Sequence, residues 1–448
     1  MLKRGEHARL FPVLADTSKE GRTLSIFLAC LPYVDEFGKA MLASIGERVG
    51  VRTRIETFTE VVCEKEGDKN NRPDGLIVVR NGSKTWTALV EAKVGNAALT
   101  TEQLESYLEV AKLNGIDALI TLSNQFAPLP THHPVKVSAN SKRKVALFHW
   151  SWMYVLTQAS LLIDNEEVTD KSQKLILSEM RRFFSHASAG VKSFDSMPAS
   201  WSDLVAKVQA GGSISGSMSD AKEVMGAWHQ ELRDLSLILT RQLRTEVNVR
   251  IPRRYTADPS LRLKEDLAAL CTDQCLQATF LIPAAAAPVE LCADLAKKTV
   301  SVSMKIRAPE DRKGGRARVS WLLRQIGKAE PKDVHVRLFW PGRGGFTQHT
   351  LLELRDDPDK AVADRNGVVP HSFEISFVKD LGGRFAQRRN FIADLETIVP
   401  AFYEQIGQHI KSWQPSAPRM TEERTSPESV TPEAMAEEVE GIEKETAD

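Results

Sequence analysis

The sequence predicts an α/β domain over residues 1–190, followed by a second, α+β domain over 220–414. Three observations carry this reading. Between Val34 and Phe184, segments with apolar residues at helical spacing alternate with short β-rich runs, the pattern of an α/β unit. An Asn81-Gly82 pair separates two of those runs, and both residue types tolerate the positive φ of a tight hairpin turn. From Ala187 to Ser219 the composition shifts to Ser, Gly and Ala, which predicts a linker at 191–219. A chain of 448 residues has room for two or three domains, and 42% hydrophobic residues suffice to build their cores.

The elements follow in order. A helix is expected over 34–49, where Phe37, Met41, Leu42 and Ile45 recur at helical intervals and Gly50 closes it. Residues 51–62 alternate, with Ile55, Phe58, Val61 and Val62 among Thr and charged residues, as a half-buried strand does. Two further strands at 74–80 and 85–92 are joined by the Asn81-Gly82 turn. A helix over 100–113 starts at Thr100 or Thr101 and stops at Asn114-Gly115. Short apolar runs at 116–122 and 145–150 read as buried strands, and 152–184 as two helices broken near Asp164. The first domain therefore orders as helix, three strands, helix, strand, then additions.

Beyond the linker, whose Gly211-Gly212-Ser213 through Gly216-Ser217 is the expected hinge, a helix is predicted over 221–245. Strands follow near 277–282, 299–306, 334–340 and 350–354, with a core helix at 319–326 and a long helix over 384–413. Residues 415–448 are rich in Pro, Glu and Thr with few apolar anchors, and are expected to be a disordered acidic tail.

Charge balances overall, with 59 Lys and Arg against 59 Asp and Glu, but unevenly along the chain. The tail holds ten acidic and three basic residues, which leaves the remainder near +7 and suited to a polyanionic partner. No membrane span is expected: 145–163 lacks charges but carries His149, Ser151, Thr157, Gln158 and Ser160, and 278–289 is short and holds Pro283 and Pro288. No secretory signal is expected either, since Glu6 follows Lys3 and Arg4, and the apolar run at 24–34 lies behind Lys19, Glu20 and Arg22. Five scattered cysteines make no disulfide framework, and Cys271 and Cys275 lack the second pair of a zinc site. The expectation is a soluble, cytoplasmic protein with no membrane partner.

The chemistry concentrates in Arg72-Pro73-Asp74-Gly75 and Glu91-Ala92-Lys93. Alternation along a strand puts Glu91 and Lys93 on one side, and the hairpin folds the Asp74 strand back along the Glu91 strand. Asp74 begins one strand and Glu91 ends the next, so antiparallel pairing brings both carboxylates to one end of the sheet. Two converging carboxylates beside an amine suit a Mg²⁺ site for phosphodiester hydrolysis: hard oxygens hold the cation, which polarises a phosphate and acidifies bound water. A Glu-x-Lys tripeptide alone is commonplace on solvated strands. Here it is joined by Pro-Asp at a strand head, a hairpin, and a following helix in which Gln103 and Tyr107 share one face.

These motifs resemble the PD-(D/E)XK nuclease superfamily, in particular its RecB-like branch, where a Q-x-x-x-Y helix follows the E-x-K strand. The resemblance covers roughly 34–122 and implies a restriction-endonuclease-like core of helix, three strands, helix, strand. It implies that Asp74 and Glu91 bind Mg²⁺ or Mn²⁺, that Lys93 assists the attacking water, and that Gln103 and Tyr107 position the lysine or the DNA backbone. It also implies an acidic ligand on the first helix, for which Glu36 is the choice and Glu47 the rival. The expected activity is metal-dependent DNA hydrolysis, in a setting of restriction, repair or defence by analogy. The motifs do not separate DNA from RNA.

A nuclease fold retained as a non-catalytic module for DNA binding or protein assembly is the alternative, and a small-molecule enzyme with a closed apolar pocket is a third reading. His132-His133-Pro134 reads as loop structure, and Thr121-Leu122-Ser123 with His149 assembles no nucleophile triad. In the second domain, Lys305-Ile306-Arg307 and the basic stretch 312–318 read by default as a solvated loop, with phosphate contact the sharper alternative and Arg316 and Arg318 the DNA-binding residues it would supply. If that stretch is only a solvated loop, the second domain's partner would be protein, including a second copy of this chain.

Overall fold

The computed structural model describes residues 2–12, 18–65, 72–138, 144–363, 365 and 367–414. The acidic tail expected at 415–448 lies outside the described residues. The first half runs β1 (Leu2–His7), α1 (Lys19–Tyr33), α2 (Asp35–Ala43), β2 (Arg54–Cys63), β3 (Gly75–Asn81) and β4 (Lys84–Ala92). It continues with α3 (Thr101–Asn114), β5 (Ala118–Ser123), β6 (Ala146–Ser151), α4 (Trp152–Asp164) and α5 (Lys171–Phe184). Its six strands form one mixed sheet in chain order, antiparallel from β1 to β4 and parallel from β4 to β6.

Local chemistry explains the boundaries. The β3–β4 hairpin turns at Gly82-Ser83, one residue later than the expected Asn81-Gly82, because Asn81 still pairs with Lys84; Gly82 takes φ 60°, where a Cβ would be strained. The Thr100 hydroxyl caps α3 by accepting the Gln103 N–H, and Gly115 ends it in the left-handed conformation at φ 67°. Helices α1, α2, α4 and α5 cover one face of the sheet with Phe27, Phe37, Trp150 and Trp152 in the core between. Helix α3 covers the other face, setting Leu104, Tyr107 and Leu108 against Leu76, Leu89 and Leu119.

Two features of this half depart from the sequence expectation. The helix expected over 34–49 is the shorter α2, and α1 precedes it. Helix α1 escapes a periodicity search because Thr23, Leu24, Ser25 and every residue from Phe27 to Leu31 are buried, leaving no polar stripe to set the period. Its close approach to the sheet depends on Gly75, where a Cβ would lie 2.7 Å from Leu28 Cδ1.

The second half begins with α6 (Ser200–Gln209), α7 (Ser219–Leu243), β7 (Asn248–Val249), α8 (Arg253–Ala257) and α9 (Pro259–Asp273). Strands β8 (Cys275–Leu281), β9 (Val289–Asp294) and β10 (Thr299–Arg307) lead to α10 (Gly315–Gln325), β11 (Val334–Phe339) and β12 (Phe346–Thr350). Helix α11 (Leu351–Asp356), β13 (Ser372–Asp380) and α12 (Arg388–Gln405) complete it. The seven strands make an antiparallel sheet in the order β12-β11-β13-β10-β9-β8-β7. One face joins the helices in a core that includes Trp201, Trp228, Phe280, Phe373 and Phe391. The other face alternates out as polar, half-exposed residues such as Ser301, Ser303, His335 and Arg337.

Three expectations for this half are corrected. The linker at 191–219 contains α6, whose Trp201 is fully buried and donates its indole N–H to the Phe385 carbonyl at 2.9 Å. Gly211, read as part of a hinge, follows that helix in the left-handed conformation at φ 78°. The strand expected at 350–354 is helix α11, because Thr350 and Glu353 form a reciprocal capping box. The long helix expected over 384–413 is α12, framed by short 3₁₀ turns. Both sheets belong to one compact unit ending at Ser412, and α7 lends Leu237 to the core of the first half.

Candidate active site

The β3–β4 register builds the site. Gly75 pairs with Val90, so the residues just beyond them, Asp74 and Glu91, lie side by side at the end of the hairpin. Asp74 Oδ2 accepts the Ala92 N–H at 2.9 Å, which locks one strand's head to the other's tail. Leu89 and Glu91 project to the α3 side, and so do Thr121 and His149, which are successive register partners of Glu91 on β5 and β6. The backbone of Lys93 is pinned on both sides. Its N–H donates to the Leu122 carbonyl at 2.8 Å, and its carbonyl accepts the Trp152 indole N–H at 2.8 Å.

Around this point the structure brings together Asp74, Glu91, Lys93 and a fourth residue that the sequence analysis did not single out, Glu20. Lys93 Nζ donates to Glu91 Oε1 at 2.7 Å, Glu20 Oε1 at 3.1 Å and the Ala92 carbonyl at 2.9 Å. Glu20 Oε2 also accepts the Val94 N–H at 3.3 Å. Glu20 sits in the first turn of α1, whereas Glu36 stands in the first turn of α2. The first-helix acid that meets the lysine is therefore Glu20, not Glu36 or Glu47. Its signal in the sequence was an acid in the first turn of a helix buried on nearly all sides, hidden because that helix shows no period.

Electrostatics follow from burial and like charge. The Glu91 side chain is 2% exposed and that of Lys93 is 14% exposed. Glu91 Oε2 is buried and accepts no well-formed hydrogen bond, although the Tyr107 hydroxyl is near enough to interact with this carboxylate. Burial and then the Glu91 charge hold the Asp74 carboxyl well above the usual carboxylate range, against the Ala92 N–H and Lys93. Burial alone would depress the Lys93 ammonium, but the hydrogen bond and charge of Glu91, with Asp74 and Glu20, more than offset it and raise its pKa. Burial first, then Glu91 and Asp74, likewise keep the Tyr107 phenol protonated. Tyr107 donates to the Arg72 carbonyl at 3.4 Å, two residues ahead of Asp74. Gln103 lies one turn earlier on α3 and is half-buried.

Beside the carboxylates lies a hydrogen-bonded group of Thr121, His133 and His149. His149 Nε2 donates to the Gln125 carbonyl at 2.8 Å, so its Nδ1 accepts from Thr121 Oγ1 at 2.8 Å. The Thr121 hydroxyl has given its one hydrogen to His149, so it accepts from His133 Nε2 at 2.8 Å, while His133 Nδ1 lies 3.0 Å from both the backbone N and O of Val135. Burial, then His133, pushes His149 down to about 3, so this hydroxyl–imidazole pair stays neutral and acts as a strut behind Glu91. The histidine at 133, expected only as loop structure, thus ties its loop to β5.

The two residues expected to contact DNA in the second half lie in different surroundings. Arg318 is 9% exposed, and its guanidinium donates to the Arg312 and Pro370 carbonyls at 2.8 Å each. It is a structural brace, because carbonyls left over at loop ends have taken its donors. Arg316 is exposed and pairs with Asp359 at 2.9 Å.

Among the described residues no three His, Cys, Asp or Glu side chains are gathered as a metal-ligand set, and the Lys93 ammonium stands between Glu20 and Glu91. Among the same residues no helix is long and apolar enough to cross a membrane. No family model matches the chain, and no curated protein is significantly similar to it.

Proposed function

We propose that this chain is a divalent-cation-dependent deoxyribonuclease of the PD-(D/E)XK kind, acting at Asp74, Glu91 and Lys93. The observation that supports it most is the buried Glu91 Oε2 atom, which accepts no well-formed hydrogen bond at the point where Asp74, Glu20 and Lys93 converge. A buried acceptor without a donor is costly, and a hard cation satisfies it as a hydrogen bond would. Asp74 and Glu91 would hold Mg²⁺ or Mn²⁺, with Glu20 in the place assigned to Glu36. When bound, such a cation polarises the phosphate and lowers the pKa of a coordinated water. The chain's own residues do the remainder. Lys93, held as an ammonium, donates to the negative charge that develops on the phosphate and does not take a proton. Tyr107 steadies the turn that leads into Asp74.

One observation favours the second reading, a module that binds DNA without cutting it. Lys93 directs its ammonium at Glu20, Glu91 and the Ala92 carbonyl, so a cation must compete with it for the same oxygens. Direct titration with Mn²⁺, followed by paramagnetic resonance in the absence of DNA, separates the two. The nuclease reading expects saturable binding that Asp74→Ala and Glu91→Gln each remove. A wild-type chain that takes up no Mn²⁺ at millimolar concentration contradicts it and favours the module.

A further inference from the structure

The second sheet has a free face, and its chemistry is not uniform. A groove of about 760 Å³ runs over it, lined at one end by Arg250 and Tyr255 and at the other by Arg337, Gln348 and Glu374. At the first end and along the middle, cations pair with acids: Arg262 with Asp266, and Lys297 with Asp294. The other end differs. The register aligns Gln348, Arg337, Glu374 and Lys305 in one row across β12, β11, β13 and β10, and Phe346, Phe339, Ser372 and Arg307 in the next.

These two rows form a basic platform with aromatic rings in it. Phe346 is 54% exposed, which removes it from any core, and its ring centroid lies 5.8 Å from that of Phe339. Lys305 Nζ sits 3.7 Å from the Phe339 centroid, and the Arg337 guanidinium 5.2 Å from the Phe346 centroid. Arg307 and Arg343 are exposed, and among the described residues neither makes an ion pair. Three cations of these rows, Lys305, Arg307 and Arg337, thus face one acid, Glu374, which Arg337 already binds at 3.1 Å. Solvent-exposed phenyl rings cost stability unless something covers them, and the cations around them set the sign of what does.

We infer that this sheet face binds a single-stranded nucleic acid, with bases stacked on Phe346 and Phe339 and phosphates held by Lys305 and Arg307. A paired duplex hides its base faces and has no use for the rings, whereas an unpaired strand offers both a base face and a phosphate at each step. The inference goes beyond the hydrolytic reading and does not depend on it, because it concerns a different sheet and a binding event without chemistry.

Fluorescence anisotropy of the full chain in chelator, where no cleavage can proceed, tests it with a labelled 20-residue oligo-dT, the matching oligo-U and a 20-base-pair duplex. Expected is tighter binding of single strands than of duplex, with the preference between the two oligomers telling whether DNA or RNA is the source. Phe346→Leu weakens binding about tenfold, and Phe346→Trp restores it. Lys305→Ala and Arg307→Ala each flatten the dependence of log affinity on log salt by about 0.7. These side chains are exposed or half-exposed, so thermal melts of the variants should match the parent. Single strands bound no better than duplex, or a Phe346→Leu chain that binds as the parent does, overturns the inference. Because no cleavage enters the measurement, its failure leaves the carboxylate site untouched, and loss of Mn²⁺ binding leaves the platform untouched.

Discussion

Glu20 and Glu36 stand in the first turns of successive helices, and only Glu20 reaches Lys93. Glu20→Gln is therefore expected to weaken apparent cation affinity about ten- to a hundredfold, while Glu36→Gln leaves it at the parent value. A Mn²⁺ titration of both variants checks this, and the reverse ranking would return the role to α2. Arg318 makes a similar contrast between sequence and structure. Arg318→Ala should cost about 1–3 kcal/mol in denaturant unfolding, because two carbonyls lose their donor, and leave DNA affinity unchanged. Asp74, Glu91 and Lys93 were legible in the sequence because a two-residue hairpin fixes register, and register fixes which side chains meet. Glu20 was not, since its meeting with Lys93 spans 73 residues and rests on packing. Arg318 misled because a cation's charge is visible in a sequence and its burial is not.

Among elements, the same contrast separates local from non-local causes. The ends of α3 were readable from Thr100 and Gly115, and the break between α4 and α5 from a polar stretch after Asp164. Helix α11 was misread although Thr350 and Glu353 carry a capping signature, because a short apolar run fits strand and helix alike. Helix α7 holds a feature that no periodicity reveals. Glu231 and Asp234 are fully buried on it, near Glu396 of α12 and with Arg233 and Arg241 close by. Burial, opposed by the Phe194 N–H and the two arginines, raises Asp234 to about 6; burial and then the Asp234 charge raise Glu396 to about 7. The folded state thus retains protons that the unfolded chain releases near pH 4, so the stabilisation is full below about pH 4 and is lost as pH rises through 6 to 7. Denaturant melts between pH 5 and 8 should show falling stability, with a shallower fall in Asp234→Asn. Equal slopes in parent and variant would contradict this assignment.

At the scale of the whole molecule, the two sheets do not stand apart. Arg241 on α7 donates to Thr157 on α4 at 2.6 Å, Gln230 accepts the Phe126 N–H at 3.3 Å, and His132 donates to the Thr256 carbonyl at 3.0 Å. With Leu237 inside the first core, these contacts predict one calorimetric unfolding transition for the chain. Two well-separated transitions would show that the halves fold independently. The coupling also means that the site should be tested in the full chain. The most direct measurement is single-turnover cleavage of DNA by the full chain with Mg²⁺, beside its Asp74→Ala and Lys93→Ala variants, with DNA affinity measured separately in chelator. The account predicts metal-dependent cleavage that Asp74→Ala abolishes and Lys93→Ala slows about a hundredfold or more, with affinity nearly unchanged. Cleavage that survives Asp74→Ala, or a chain that binds DNA tightly and never cuts it, would contradict the account.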